Sequence, residues 1–261
     1  MSDDKYIINK RFDTRVERSA RVLEVAEAFG LGLSDKEFVV FDNVELTVPK
    51  GSVVYITGQS GSGKSLLLRE LESQMDERGL KIANLDKVEL LDIPLIDQIG
   101  SDMTEGLKYL SIAGLNDAYL YIRKPNELSD GQRYRFKLAK AIESGADVWV
   151  ADEFLAVLDR VAARVISFTL QKAARAQGVT LIVATTHTDM VRDLYPSIYI
   201  EKRYREKLLV ETAQEVIDHV NRIKVEQEMK DEDIEEVLEA CRAGGASLTY
   251  ETMMEYLLKV I

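Results

Sequence analysis

Eight consecutive residues constrain this chain more than any others: Gly58, Gln59, Ser60, Gly61, Ser62, Gly63, Lys64 and Ser65. An apolar run, Val53, Val54, Tyr55, Ile56 and Thr57, precedes them, and Leu66, Leu67 and Leu68 follow. The order is therefore strand, glycine-rich loop, helix, which is the setting a phosphate-binding loop requires. Small residues let successive backbone N–H groups point inward at an anion, and the positive end of the following helix adds to that field. At these offsets Lys64 reaches the β- and γ-phosphates, and the Ser65 hydroxyl ligates Mg2+. The complete pattern, running on into Leu66, favours a nucleoside triphosphate over a glycine turn that holds no ligand.

The remainder of the chain reads as alternating strand and helix. Residues 10–30 are expected to form a helix, because Val16, Val22, Leu23, Val25, Ala26 and Phe29 are apolar among Arg and Glu, and Gly30 ends the run. After a linker over 31–37, residues 38–41 and 44–48 read as paired strands, and Pro49, Lys50 and Gly51 turn into the loop strand. Residues 148–151 and 180–184 are buried-strand candidates, each preceded by helical sequence, which argues for a largely parallel α/β core. A last strand pair, 197–200 and 207–210, closes it, and helices are expected over 211–230, 231–240 and 250–260. The organisation expected is an N-terminal helix and linker over 1–36, a nucleotide-binding domain over 37–210 and an acidic helical extension over 211–261.

Net charge is −11, and 13 acidic against 5 basic residues in 211–261 place eight of those charges in the extension. That opposes phosphate-backbone binding by this segment and suits a protein partner or packing on the chain's own core. Cys241 is the single cysteine, so no internal disulfide forms, and a cytoplasmic location is expected. The first residues lack a secretory pattern, and apolar runs such as 181–184 are too short to span a bilayer.

Further residues narrow the chemistry. Asp152 and Glu153 end the apolar run 148–151, where one carboxylate can hold Mg2+ and the other polarise a water. Leu158 and Asp159 follow, and His187 stands just past the run 180–184, placed to bond a γ-phosphate and water. Upstream, Leu128, Ser129, Asp130, Gly131 and Gln132 open a helix. Ser129 and Gln132 make a capping box there, and Gly131 keeps the N-terminus open to an anion. Gln98 offers an amide for Mg2+ and water.

In this order and spacing the set resembles the ATP-binding-cassette (ABC) ATPases over about residues 38–210. The resemblance assigns Gly58 to Ser65 to the P-loop, Gln98 to the Q-loop, Leu128 to Gln132 to the signature, Asp152 and Glu153 to the acidic strand, Asp159 to the D-loop and His187 to the switch. It implies a P-loop NTPase of α/β class that binds ATP and Mg2+, and that works as an ATP-sandwiched homodimer. Ser129, Gly131 and Gln132 then meet the nucleotide of the opposite subunit. Ser65, Gln98 and Asp152 would hold the metal, Glu153 would act as base, and Lys64, Gln98 and His187 would complete the catalytic set.

Departures from the family pattern include Asp130 where glycine is usual, Phe154 where proline is common, and 31 residues between Gln98 and Ser129, short for a helical lobe. Register places Val39 where an adenine-stacking aromatic is expected, with Phe38 as the neighbouring candidate. Residues 21–30 and 128–140 resemble a soluble archaeal and phage group of these ATPases. Two other roles remain open. Arg133, Arg135, Lys137, Lys140 and the run 202–207 offer a phosphate path for a nucleic-acid-processing ATPase. A transporter's nucleotide-binding subunit would need a separate permease.

Overall fold

The computed structural model describes residues 4–14, 16–33, 36–156, 158–188, 190–204 and 206–212, which belong to one unit ending at Thr212, and Glu215 of a second unit, 213–261. Glu211 and Thr212, expected to open a helix, instead end the last strand, Leu209–Thr212, and apart from Glu215 the rest of the C-terminal helices read from the sequence lies outside the described residues.

The chain builds two sheets. Lys5–Thr14 (β1) and Lys36–Thr47 (β2) pair antiparallel as a ribbon, with Ala20–Phe29 (α1) between them. The second sheet contains Val53–Thr57 (β3), Ile82–Asn84 (β4), Val148–Ala151 (β5), Thr180–Ala184 (β6), Ile198–Glu201 (β7) and Leu209–Thr212 (β8). Its spatial order is β4-β5-β6-β3-β7-β8, parallel throughout except for β8, which runs antiparallel to β7. The connections carry Lys64–Glu77 (α2), Met103–Ile112 (α3), Ala118–Tyr121 (α4), Asp130–Glu143 (α5), Arg160–Gln177 (α6) and Val191–Leu194 (α7). This is the expected α/β P-loop architecture with a mixed sheet, and α3 and α4 supply the small helical lobe ahead of α5.

Two expectations change at the N-terminus. Residues 10–14 are strand, and α1 begins only at Ala20, where the Ser19 hydroxyl accepts the Val22 N–H at 3.3 Å. The cause is tertiary: Tyr6 and Ile8 alternate into the core, and β2 supplies the ladder, pairing Phe12 with Phe38. Residues 38–41 and 44–48 do not pair with each other; all but Val48 lie on one continuous strand whose partner is β1. The ladder is irregular between Ile8 and Lys10, and Asn43 sits at φ 47°, which accounts for the apparent break in the sequence pattern.

Ribbon and sheet share one core across α2. Its Leu67, Leu68, Leu71 and Met75 fall on one helical face and meet Tyr6, Ile8 and Phe41 from the ribbon and Val54, Ile56 and Ile182 from the sheet. Each such side chain contributes about 1.5–3 kcal/mol on burial. Polar contacts fix the register: Gln74 donates to the Ile7 carbonyl at 2.8 Å, Lys10 pairs with Glu70 at 2.6 Å, and the Arg78 guanidinium lies 4.0 Å from the Tyr6 ring centre. β3 is buried along its whole length between β6 and β7. Because β5, β6, β3 and β7 are parallel, the loops leaving them all emerge at one carboxyl edge, where ligands gather in open α/β sheets. Among the described residues no helix is long and apolar enough to cross a membrane.

Candidate active site

An open cleft of about 1050 Å³ lies at that edge. Residues 60–66 of the glycine-rich loop line it, opposite Asp152, Glu153, Thr185 and Thr186. The loop is shaped by close backbone approach. Gly58 sits at φ 140°, and a Cβ there would stand 1.9 Å from the Lys202 carbonyl oxygen. The first intrahelical bond of α2 runs from the Leu67 N–H to the Gly63 carbonyl at 3.0 Å, so the N–H groups of Lys64, Ser65 and Leu66 lack intrahelical acceptors. Lys64 donates to the Gln59 carbonyl at 2.7 Å, across the loop. Its burial pushes the ammonium pKa down, while the Asp152 and Glu153 carboxylates oppose that shift.

The donors present fit a triphosphate and Mg2+. The buried Ser62 hydroxyl has no hydrogen-bond partner among the described residues, and with the N–H groups of the helix start it offers donors to an anion. The Ser65 hydroxyl lies 2.9 Å from Asp152 Oδ1, so two oxygens of the kind a hard cation prefers meet across α2 and β5.

Just past β5 three successive backbone N–H groups are engaged. Asp152 donates to Asp86 Oδ2 at 2.6 Å, Glu153 to Asp152 Oδ1 at 2.9 Å, and Phe154 to the Ala184 carbonyl at 2.8 Å. Glu153 is held at φ 45°, a left-handed conformation that costs a non-glycine residue about 1–3 kcal/mol. Its carboxylate is exposed at the cleft, with no hydrogen-bond partner among the described residues. Asp86 keeps exposed surface, yet crowding by protein atoms raises its pKa, against the pull of the Asp152 N–H and Lys137. Phe154 is a core residue, edge-on to the Tyr134 ring at 6.0 Å.

Other sequence candidates stand elsewhere. Gln98 does not line the cleft. Its carboxamide accepts the Leu91 N–H at 2.9 Å and donates to the Leu91 and Ile93 carbonyls at 3.0 and 2.6 Å, so all its bonding capacity shown here closes a local loop. His187 also falls outside the lining. Its N–H donates to the Thr185 hydroxyl at 3.2 Å, and its carbonyl accepts from Thr57 at 3.2 Å and from the Tyr55 hydroxyl. Asp159 caps α6, accepting the Val161 and Ala162 N–H groups at 3.0 and 2.9 Å. Ser129 and Gln132 form the expected reciprocal cap of α5, away from the cleft of the same chain. Asp130 pairs with Arg133, which offsets its charge.

The structure adds residues that the sequence reading missed. Phe12, 44% exposed, joins Phe38, 41% exposed, and Val39 on one wall of the cleft, and Arg69, Lys202 and Tyr204 line it too. The alternation of Tyr6 and Ile8 was the one signal that could have placed Phe12 on a strand. The basic residues of α5 are largely occupied: Arg135 donates to the Gly114 carbonyl, and Lys140 to the Gln98 carbonyl and Glu143.

Cleft, loop and acidic strand end define a P-loop nucleotide hydrolase, and comparison places it more narrowly. The model of the ABC transporter family matches residues 41–93. The cytochrome c biogenesis ATP-binding export protein CcmA of Nitrosococcus oceani is 30% identical over 179 residues, spanning 59% of this chain and 83% of that protein. The methionine import ATP-binding protein MetN of Histophilus somni is 27% identical over 202 residues, spanning 64% and 58%. The chain thus covers little more than half the length of that importer subunit. Among solved structures, cbiO1 from Clostridium perfringens aligns with TM-score 0.59 at 20% identity, over 77% of this chain and 92% of that one. The cassette MJ0796, a dimer bound to ADP and Pi, aligns with TM-score 0.53 at 21% identity, over 70% and 94%. The chain belongs to the ABC family and is an ATP-binding ABC ATPase, a class that uses Mg2+. These relatives lend no support to the likeness to a soluble archaeal and phage group.

Proposed function

We propose that the chain hydrolyses ATP as one half of an ATP-sandwiched homodimer on the cytoplasmic side. The observation that carries this is the contact of Ser65 with Asp152 at 2.9 Å beside a Glu153 carboxylate held free at the same cleft. In this reading Lys64 and the N–H groups of the loop bind the phosphates, and Ser65 and Asp152 hold Mg2+. The metal, when bound, neutralises charge on the transferring phosphoryl group. Glu153 takes the proton of the attacking water, Phe12 and Phe38 face the base, and His187, just outside the cleft lining at the end of β6, would have to turn inward to orient that water. Ser129, Gly131 and Gln132 serve the opposite subunit's nucleotide. Gln98 is left out, because its amide is committed to the loop 91–93. The test is Glu153→Gln, in which turnover falls by about 10²–10⁴ and an ATP-dependent dimer accumulates. Rapid hydrolysis by that variant refutes the assignment.

A second reading is the nucleotide-binding subunit of a transporter. Segments 91–95 and 119–124 adjoin, joined by the Leu95 N–H to the Arg123 carbonyl at 3.0 Å and by Lys124 to Asp92 at 3.1 Å. They expose Leu91, Ile93, Tyr119 and Ile122, with Tyr119 at 75% and Ile122 at 66%. An apolar patch of this kind suits a protein interface. Polar substitutions there should abolish co-purification with a membrane subunit and spare ATP binding. The acidic residues 211–261 suit a further protein partner. The nucleic-acid reading is weakened because Arg133, Arg135 and Lys140 are already paired, and the absence of salt-sensitive stimulation by DNA or RNA would exclude it.

A further inference from the structure

The turn that presents Glu153 is tied to a residue that motif spacing does not pick out. β4 lies at the edge of the sheet, parallel to β5, with Asn84 opposite Val150. Two residues past Asn84, Asp86 accepts the Asp152 N–H at 2.6 Å. Of the three N–H bonds that pin 152–154, this is the one whose acceptor is a side chain from another element. Asp86 is itself held. Its own N–H donates to Asn84 Oδ1 at 3.0 Å, and the Asn84 amide donates to both Glu72 carboxylate oxygens at 3.1 and 3.3 Å. Lys87 closes on the same carboxylate at 2.9 Å. Glu72 belongs to α2, the helix that begins with Lys64 and Ser65. A hydrogen-bonded path therefore runs from the phosphate-loop helix through Glu72, Asn84 and Asp86 to Asp152.

We infer that Asp86 is a positioning residue for hydrolysis, holding the Asp152 N–H so that the strained turn presents Glu153 to the cleft. A left-handed glutamate persists only where its surroundings over-determine it. A carboxylate acceptor supplies a stronger tie than a neutral one. The path also gives Asp152 a fixed relation to Ser65, because both ends rest on α2. The inference depends on Glu153 as the base, so its test must separate the two.

Two measurements do so on the full chain. The first is hydrogen exchange of the Asp152 amide in the protein without nucleotide, and the second is steady-state ATP hydrolysis, each for Asp86→Ala, Asp86→Asn and Glu153→Gln. Asp86→Ala should speed exchange by about tenfold or more and lower kcat roughly 10–100-fold, while KM for ATP moves less than about threefold. Asp86→Asn keeps an acceptor oxygen and should recover most of both losses. Wild-type exchange with kcat within threefold in Asp86→Ala, alongside an inactive Glu153→Gln, overturns the role of Asp86 and leaves the base assignment standing. A fully active Glu153→Gln removes the base and with it this inference, whatever the exchange shows. Should the alanine variant fail to fold, the asparagine variant decides. A protected Asp152 amide with at least about a tenth of wild-type kcat supports the role, and loss of either overturns it.

Discussion

Gly58→Ala tests the tightest backbone approach among the described glycines. A Cβ at this position would stand 1.9 Å from the Lys202 carbonyl oxygen and 2.8 Å from its carbon, at a φ of 140°. Neither neighbour is the end of a flexible side chain, so the two backbones must part by about 1.5 Å to restore ordinary contact. That separation strains the 2.9 Å bond from the Lys202 N–H to the Thr57 carbonyl, one residue before the glycine. Losing it costs about 0.5–1.5 kcal/mol, and the backbone conformation itself costs alanine about 1–3 kcal/mol. The expected destabilisation is therefore about 3 kcal/mol, which lowers Tm by roughly 6–12 °C in a domain of this size. Urea and thermal unfolding of the full chain would measure it. A loss below about 1 kcal/mol with an unchanged m-value would refute the claim that the approach of β7 requires glycine.

Gly131→Ala should behave oppositely. A Cβ there meets Ile166 and Ala162 at 3.8 and 3.9 Å, ordinary contacts, and the residue lies in the first turn of α5. Stability of the single chain should hold or rise by up to about 1 kcal/mol, while the ATP-dependent dimer, followed by light scattering on a Glu153→Gln background, weakens. Phe12→Ala and Phe38→Ala should each weaken ATP binding by about 1–3 kcal/mol in calorimetry, with little change in affinity for inorganic triphosphate. Near the start of α3, the Ser101 hydroxyl and N–H and the Tyr109 hydroxyl hold the Glu105 carboxyl down to about 2. A depressed carboxylate adds stability above its ordinary 4.5 and loses it as pH falls through about 2. An NMR titration should find Glu105 ionised at pH 3.5, and Glu105→Gln should remove that part of the acid dependence.

What was legible in the sequence was local. The phosphate loop is eight adjacent residues, β5 and β6 are short, almost wholly apolar runs, and the α5 start carries its own cap in Ser129 and Gln132. What was missed depended on partners far along the chain. Residues 10–14 of β1 read as helix until β2, some 30 residues on, supplies the ladder. β4 has only three residues, all half-buried at a sheet edge, too few to show a period. Spacing and the family resemblance selected Gln98 as an amide for Mg2+ and water, whereas the placement of β4 against β5 brings Asp86 to the acidic strand end. Phe12 was hidden for the same reason as β1.

The two sheets divide recognition between them. The phosphate loop belongs to the six-stranded sheet, while Phe12 and Phe38 sit opposite each other on the ribbon. A nucleotide held by both is then a removable cross-link between two independently hydrogen-bonded frameworks. Its occupancy adds RT ln(1 + [L]/Kd) to whatever holds the ribbon in place. The ribbon, whose chain leaves it for α1 two residues beyond the phenylalanine pair at Thr14 and Lys36, is therefore harder to detach with nucleotide bound than without it.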